Sequence, residues 1–171
     1  AGKELGQKEL NQGCRGGSQW FPAECDVSIR PGWFYHRKED WLVRTPRNLF
    51  NLYLQSVGRG ANLLLNLPPT PSGLIHPRDR SNLLGFNRLL TAVFSRDLAK
   101  GATVTASSTR GGSAQFAPDN LLDDSPQTYW AADDGTTTGE VNLDFDQAVT
   151  FNLVGLREPL SLGQRVEGCA I

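Results

Sequence analysis

Methionine is absent from the 171 residues, position 1 included. The chain therefore reads as an excerpt, with any signal peptide out of view. Cysteine is scarce. Cys14, Cys25 and Cys169 form an odd set with no C-x-x-C spacing, which argues against a structural zinc site and against a full disulfide framework. Cys25 reads as a small core residue. No apolar run approaches the ~20 residues of a spanning helix, so no membrane segment is expected. Positive charge forms no run either. The basic residues of the first half are scattered among apolar positions, so no nucleic-acid footprint is indicated. The charge that is present separates the halves: residues 1–100 hold 14 Lys+Arg against 8 Asp+Glu, and residues 101–171 hold 3 against 10, so the net −1 conceals +6 beside −7. Two units are expected, 1–97 and 101–171.

The densest chemistry lies between Trp20 and His36, where acidic and basic side chains sit among bulky aromatics. That mixture suits a sugar. In an extended segment Glu24, Asp26 and Ser28 point one way while Cys25, Val27 and Ile29 point the other, which gives a site face and a core face. A carboxyl group beside apolar rings loses hydration in its ionised form, so its pKa rises and it holds a proton near neutrality. Glycoside cleavage needs such an acid to protonate the leaving oxygen, and Glu24 is the candidate. Trp33, Phe34 and Tyr35 offer flat apolar surface for the C–H side of a pyranose, and Arg30 and His36 could serve its hydroxyls. The plainer alternatives are an ion-paired structural role for Glu24, packing for the aromatics, and for Asp26 a partnership with Arg30 or a backbone cap.

Around this segment the chain alternates. Thr45-Pro46 caps a helix whose Leu49, Tyr53, Ser56 and Val57 recur at helical spacing until Gly58 and Gly60. Ala61–Leu67 is a short apolar run bounded by Gly60 and Pro68-Pro69, the pattern of a parallel strand buried on both faces. Pro77 opens a second helix, with Leu83, Phe86, Leu89, Leu90, Val93 and Phe94 as its apolar stripe. Strand, helix, strand, helix is the order of an α/β fold, and a parallel barrel is its closed form. Such a barrel takes eight strands and about 250 residues, so the first half can supply only its last portion. Its active residues sit at the C-terminal ends of strands, an expectation applied here to Glu24 and secondarily to Asn66, for which a cap on the Pro68-Pro69 turn is the alternative. Residues 1–19 read as loop. From Gly101 the character is all-β, with strands at Thr103–Ser108, Glu140–Asp146 and Phe151–Arg157 separated by turns at Arg110-Gly-Gly-Ser113 and Asp133-Asp-Gly135. A β-sandwich, incomplete at Ile171, is expected.

The run from Phe21 to His36 (FPAECDVSIRPGWFYH) resembles the signature of α-L-fucosidases of glycoside hydrolase family twenty-nine. Further blocks agree in order: Ser56-Val57-Gly58-Arg59 with Asn62–Pro69, then Gly73-Leu74-Ile75, then Glu158-Pro159 with Gly163-Gln164-Arg165-Val166. The likeness spans about residues 20–171 and is nearest the branch of plant enzymes and bacterial α-1,3/1,4-fucosidases. The resemblance implies the C-terminal part of a (β/α)8 barrel followed by a sandwich, and a retaining mechanism. In that mechanism an aspartate attacks the anomeric carbon of fucose, and a glutamate, matched by Glu24, protonates the leaving oxygen and then activates water. Trp33 lies in a block that borders the sugar pocket and is carried over as a substrate contact. The nucleophile belongs to earlier strands that this chain does not contain, and Asp26, two residues from Glu24 on the same face, cannot flank the bond from the far side at the required ~5–5.5 Å. Alone, the chain should be inert. A fucosylated oligosaccharide or glycoconjugate is the implied substrate, with no cofactor and no metal, and an extracytoplasmic location, secreted or periplasmic.

The second half, with Ala106-Ser107-Ser108, Asn120–Asp124 and Thr128-Tyr129-Trp130, looks like the galactose-binding-like (discoidin-type) sandwich often joined to glycosidases. Such a module binds sugar or braces the barrel, and Trp130 reads as a packed residue more than a stacking platform. Asp119, Asp123 and Asp124 lack EF-hand spacing and read as solvated loop charges. The rival to the enzyme reading is a lectin-like carbohydrate-binding protein in which the barrel remnant performs no chemistry.

Overall fold

Val27 is β-branched and alternates with polar neighbours, which draws Glu24–Ser28 into a strand, β1. The structure is a computed structural model that describes residues 18–19, 21–159, 162–163 and 165–171. Cys14, Trp20, Gln164 and most of the lead-in read as loop lie outside the described residues. The chain divides into two compact units, one of Phe21–Arg96 and one that includes Asp97–Ile171.

In the first unit, helix α1 (Pro46–Gln55) starts as its sequence dictates. Thr45 accepts the Asn48 N–H at 3.3 Å, and Pro46 takes the first helical position, where an N–H would have no partner. The buried Ser56 donates its hydroxyl to the Leu52 carbonyl at 2.7 Å. After a tight turn, Gly60 at φ +81° adopts the left-handed conformation that releases the chain into strand β2 (Asn62–Asn66). The two strands pair in parallel, Glu24 with Asn62, Asp26 with Leu64 and Ser28 with Asn66. Helix α2 (Pro77–Phe94) follows, so the order is strand, helix, strand, helix.

The core is Ile29, Val43, Leu49 and Phe86, flanked by Phe50, Tyr53, Leu65, Leu83 and Leu90. Cover comes from one side only. Leu64 is 53% exposed, so β2 is not buried on both faces as its apolar run predicted. The second face needs an element that the described residues do not provide. The stripe of α2 also divides. Phe86 is buried, Leu83 and Leu90 pack on the core, and Phe94 meets the Phe50 and Tyr53 rings at 6.4 and 5.8 Å between centroids. Leu89 and Val93 are 36% and 38% exposed; at 100° per residue they fall about 80° and about 40° from the midline of Phe86 and Leu90, on the side away from Leu83.

In the second unit, β3 (Ala102–Ala106) pairs antiparallel with β4 (Val141–Phe145), Val104 opposite Leu143. Val104 is buried, whereas Val141 and Leu143 are 38% and 41% exposed, so the half-buried strand expected from the alternation is open over much of its apolar face. Phe151–Arg157 forms no strand and lies exposed. A strand exists through its ladder, and alternation without a partner does not make one. Trp130 is half-buried and donates its indole N–H to the Ser108 carbonyl at 3.0 Å. Its ring lies so close to Gly139 that a Cβ there would stand 2.8 Å away. The turns at Arg110–Gly112 and Asp133–Gly135 form, with Gly111, Gly112 and Gly135 at positive φ. The acidic residues do not converge: Asp124 pairs with Lys100, and Asp123 accepts from the Thr128 hydroxyl at 2.7 Å and the Ser125 N–H at 2.9 Å. Glu158 Oε1 accepts from the Arg165 and Val166 N–H groups at 2.9 and 2.8 Å, tying two of the sequence blocks together.

Two outcomes follow. A Cβ at Gly85 would stand 2.6 Å from Pro46 Cγ, the contact that lets α1 and α2 approach. Pro46 is a rigid ring at a helix start, so Gly85→Ala should destabilise the unit by about 1–3 kcal/mol in urea titration despite its helix-favouring side chain. The Thr128 hydroxyl and then the Ser125 N–H hold the Asp123 carboxyl below its ordinary range. A depressed carboxylate stabilises the fold above its unfolded-state pKa, and that contribution is lost as pH falls through the folded value. Thr128→Val should therefore move the Asp123 titration, followed by carboxyl-carbon NMR, upward toward the ordinary value, and should shrink the part of the stability that this carboxylate loses on acidification.

Candidate active site

Residues paired across parallel strands share a face, so Glu24, Asp26, Asn62 and Leu64 line the side of the β1–β2 ribbon that the helices leave open. The other side carries Cys25, Val27 and Leu63, which with Leu52, Gln55 and Ser56 bound a cavity of about 180 Å³. That volume lies below the ~300 Å³ at which ligand pockets begin, so the open face is the candidate site. Cys25 is half-buried against α1, in keeping with a packing role.

The structure corrects the setting expected for Glu24. It is the first residue of β1, at the N-terminal end of the strand, because pairing begins at the hydrogen bond from Asn62 N–H to the Ala23 carbonyl, 2.7 Å. At ~3.3 Å per residue it lies about 13 Å from the strand's other end. It is also exposed, so the apolar rings required to desolvate its carboxyl are not packed around it in this chain. Asp26 is exposed on the same face and does not pair with Arg30.

Arg30 has other partners and is not free to serve a sugar hydroxyl. It is 1% exposed. Its Nε and Nη2 donate to the two oxygens of Asp79 at 2.7 and 2.8 Å, and its Nη1 donates to Asp40 at 2.9 Å and to the His36 carbonyl at 3.3 Å. The Tyr35 ring covers the guanidinium, 4.6 Å from Cζ to centroid. Burial works against the charge, but hydrogen bonds and attraction from Asp79 and then Asp40 outweigh it and hold the guanidinium above its ordinary value. Asp79 is wholly buried in the first turn of α2, where the helix dipole also favours an anion. His76, the residue before α2, stands 3.6 Å from Asp40 and accepts the Arg78 N–H on Nδ1 at 3.2 Å.

Asn66 ends β2 and does not cap the Pro68-Pro69 turn. Its amide donates to Ser28 Oγ at 3.1 Å and to the Trp33 carbonyl at 2.9 Å. Trp33 and Phe34 are 51% and 78% exposed, and His36 is exposed. The sequence reading missed Asp40, Asp79 and His76. Asp79, two residues after a proline, looked like an ordinary first-turn acid, and only the tertiary fold brings Arg30 to it. Asp123 and Asp124 have separate partners, and among the described residues no group of three or more His, Cys, Asp or Glu side chains is placed to hold a metal ion, Asp119 included.

A parallel ribbon covered by helices on one face, with carboxylates on the other and an anchored aromatic loop at its C-terminal end, is a segment of an α/β fold. Residues 7–92 match the family described as Alpha-L-fucosidase, and the chain belongs to that family. It is 43% identical over 151 residues to Alpha-L-fucosidase 1 of Arabidopsis thaliana, which covers 88% of this chain and 29% of the relative. A relative from Oryza sativa subsp. japonica is 46% identical over 152 residues, again 88% of this chain and 29% of that protein. The chain thus spans under a third of the length of the curated relatives it matches. Among solved structures, the Ruminococcus gnavus GH29 fucosidase E1_10125 in complex with fucose is similar at a TM-score of 0.68 and 37% identity, over 75% of this chain and 26% of that one. SpGH29 is similar at 0.73 and 37%, over 84% and 30%. The fold is that of a piece of a GH29 fucosidase.

The clamp makes a stability prediction. Arg30→Met leaves Asp79 buried without its partner and should cost about 3–5 kcal/mol in denaturant titration. The Arg30→Met, Asp79→Leu pair should recover much of that loss, a coupling read directly from the double-mutant cycle.

Proposed function

We propose that this chain is the acid/base-bearing segment of a retaining α-L-fucosidase whose complete form removes terminal α-1,3/1,4-linked L-fucose from oligosaccharides or glycoconjugates, in an extracytoplasmic setting. In this reading β1 and β2 are neighbouring late strands of a (β/α)8 barrel, and the unit from Asp97 onward opens a galactose-binding-like sandwich that braces the barrel. The single observation that carries the proposal is the open face: a parallel ribbon whose helix-free side bears Glu24 and Asp26, in a chain of α-L-fucosidase family.

Glu24 is assigned as general acid/base. It donates a proton to the departing glycosidic oxygen and then takes one from the water that hydrolyses the fucosyl-enzyme ester. The remainder of the complete barrel, packed over the open face, supplies the desolvation that this assignment needs, together with the aspartate nucleophile. Asp26 does not fill that second role, since it rises from the same strand face two residues away. Trp33 is assigned as a sugar contact on the strength of its exposed ring. The chain by itself is then inert.

Leaving-group dependence tests the assignment. In the complete enzyme, Glu24→Gln should lower turnover of a fucosylated oligosaccharide by about 10²- to 10⁴-fold and harm an activated nitrophenyl fucoside far less, because a good leaving group departs without a proton. Azide should partly restore the aryl reaction. Asp26→Asn should leave both substrates near wild-type rates, and residues 1–171 assayed alone should release no nitrophenol. Equal, small losses on both substrates with Glu24→Gln would move the role to another carboxylate.

A further inference from the structure

Between Ile29 and His36 the chain leaves β1 and turns back without a backbone hydrogen bond internal to the 31–36 loop among those found in the described residues. Its shape is set from outside, through its carbonyls. The Ser28 hydroxyl donates to the Gly32 carbonyl at 2.8 Å, the Asn66 amide to the Trp33 carbonyl at 2.9 Å, and Arg30 Nη1 to the His36 carbonyl at 3.3 Å. Asn66 also donates to Ser28 Oγ at 3.1 Å, so two of these donors are themselves joined. Ser28 and Asn66 are register partners at the C-terminal ends of β1 and β2. The loop directs Tyr35 inward over Arg30 and leaves the Trp33 and Phe34 rings in solvent. Exposed aromatic area costs free energy unless something covers it, and a frame that fixes a ring beforehand removes the ordering cost of binding to it.

We propose that Asn66 is a positioning residue for substrate binding: through the Trp33 carbonyl it holds the aromatic loop so that the Trp33 ring meets the apolar face of a sugar. This rests on the fucosidase reading, and deepens it by assigning the frame behind the contact. Asn66 touches neither the sugar nor the reacting atoms.

The test is a double-mutant cycle in the complete enzyme, with fucosylated oligosaccharide as substrate. Asn66→Ala should raise KM by roughly 5- to 20-fold, the loss expected when about one net hydrogen bond's worth of order is removed, with kcat within about twofold of wild type. Trp33→Ala should raise KM at least as much, and adding Asn66→Ala to it should change nothing further, because the frame then holds no ring. Should Asn66→Ala fail to fold, the near-isosteric Asn66→Asp, which keeps the volume but cannot donate when ionised, carries the same expectation. Independent, multiplicative effects of the two substitutions, a fall in kcat with KM unchanged, or failure of both Asn66 variants to fold would overturn the proposal and leave Asn66 a residue of the fold alone. Absence of fucoside turnover by the wild-type complete enzyme would overturn the fucosidase reading itself, and this inference with it.

Discussion

A guanidinium sealed from water is tolerable only if its charge is met, and Arg30 is met by two carboxylates, a carbonyl and an aromatic ring. Those partners come from distant parts of the first unit. Asp79 belongs to the first turn of α2, Asp40 to the turn before α1, and Tyr35 and His36 to the loop beyond β1. Removing Asp79 leaves the buried charge of Arg30 without its two-point partner, at a cost far above that of a surface ion pair. Arg30 thereby dictates where α2 begins relative to the end of β1. The close contact of Gly85 with Pro46 and the edge-on meeting of Tyr53 with Phe86, 6.2 Å between centroids, belong to the same helix pair.

The two-residue period of a strand then separates structure from chemistry. Cys25, Val27, Leu63 and Leu65 turn to the helices, and the residues between them turn away. Glu24 and Asp26 cost nothing on the open side because water solvates them, whereas one register slip would bury both and expose Val27. The loop at the far end of the ribbon carries its aromatics on backbone held by side-chain donors. Its geometry therefore depends on polar residues at strand ends more than on hydrophobic packing.

Local signals made the helices readable. Thr45-Pro46 and Pro77 mark starts through capping and missing-donor chemistry that needs no tertiary information, and Gly60 marks a turn because its positive φ suits few other residues. The alternation in β1 was equally plain. What escaped was set at long range. The pairing of Arg30 with Asp79 spans 49 residues, so nearby Asp26 looked the better partner. Asn66 bonds a carbonyl 33 residues away, so the adjacent prolines drew the reading toward a turn cap. Glu24 was assigned to the wrong end of its strand because alternation reveals which face a residue takes and says nothing of where pairing starts. Phe151–Arg157 has strand-like residues but no partner, and a ladder needs both sides. The family was legible because the run from Phe21 to His36 keeps its residues in order, which survives even where burial and end placement are misread.

The most direct measurement is a crystal structure of the complete enzyme, its nucleophile disabled, with a fucosylated oligosaccharide bound across the open face of β1 and β2. The account predicts a Glu24 carboxyl oxygen about 2.6–3.2 Å from the glycosidic oxygen, the nucleophile on the opposite side of the anomeric carbon, and the Trp33 ring against a sugar. A different carboxylate at the glycosidic oxygen, with Glu24 remote from the sugar and still in solvent, would contradict it.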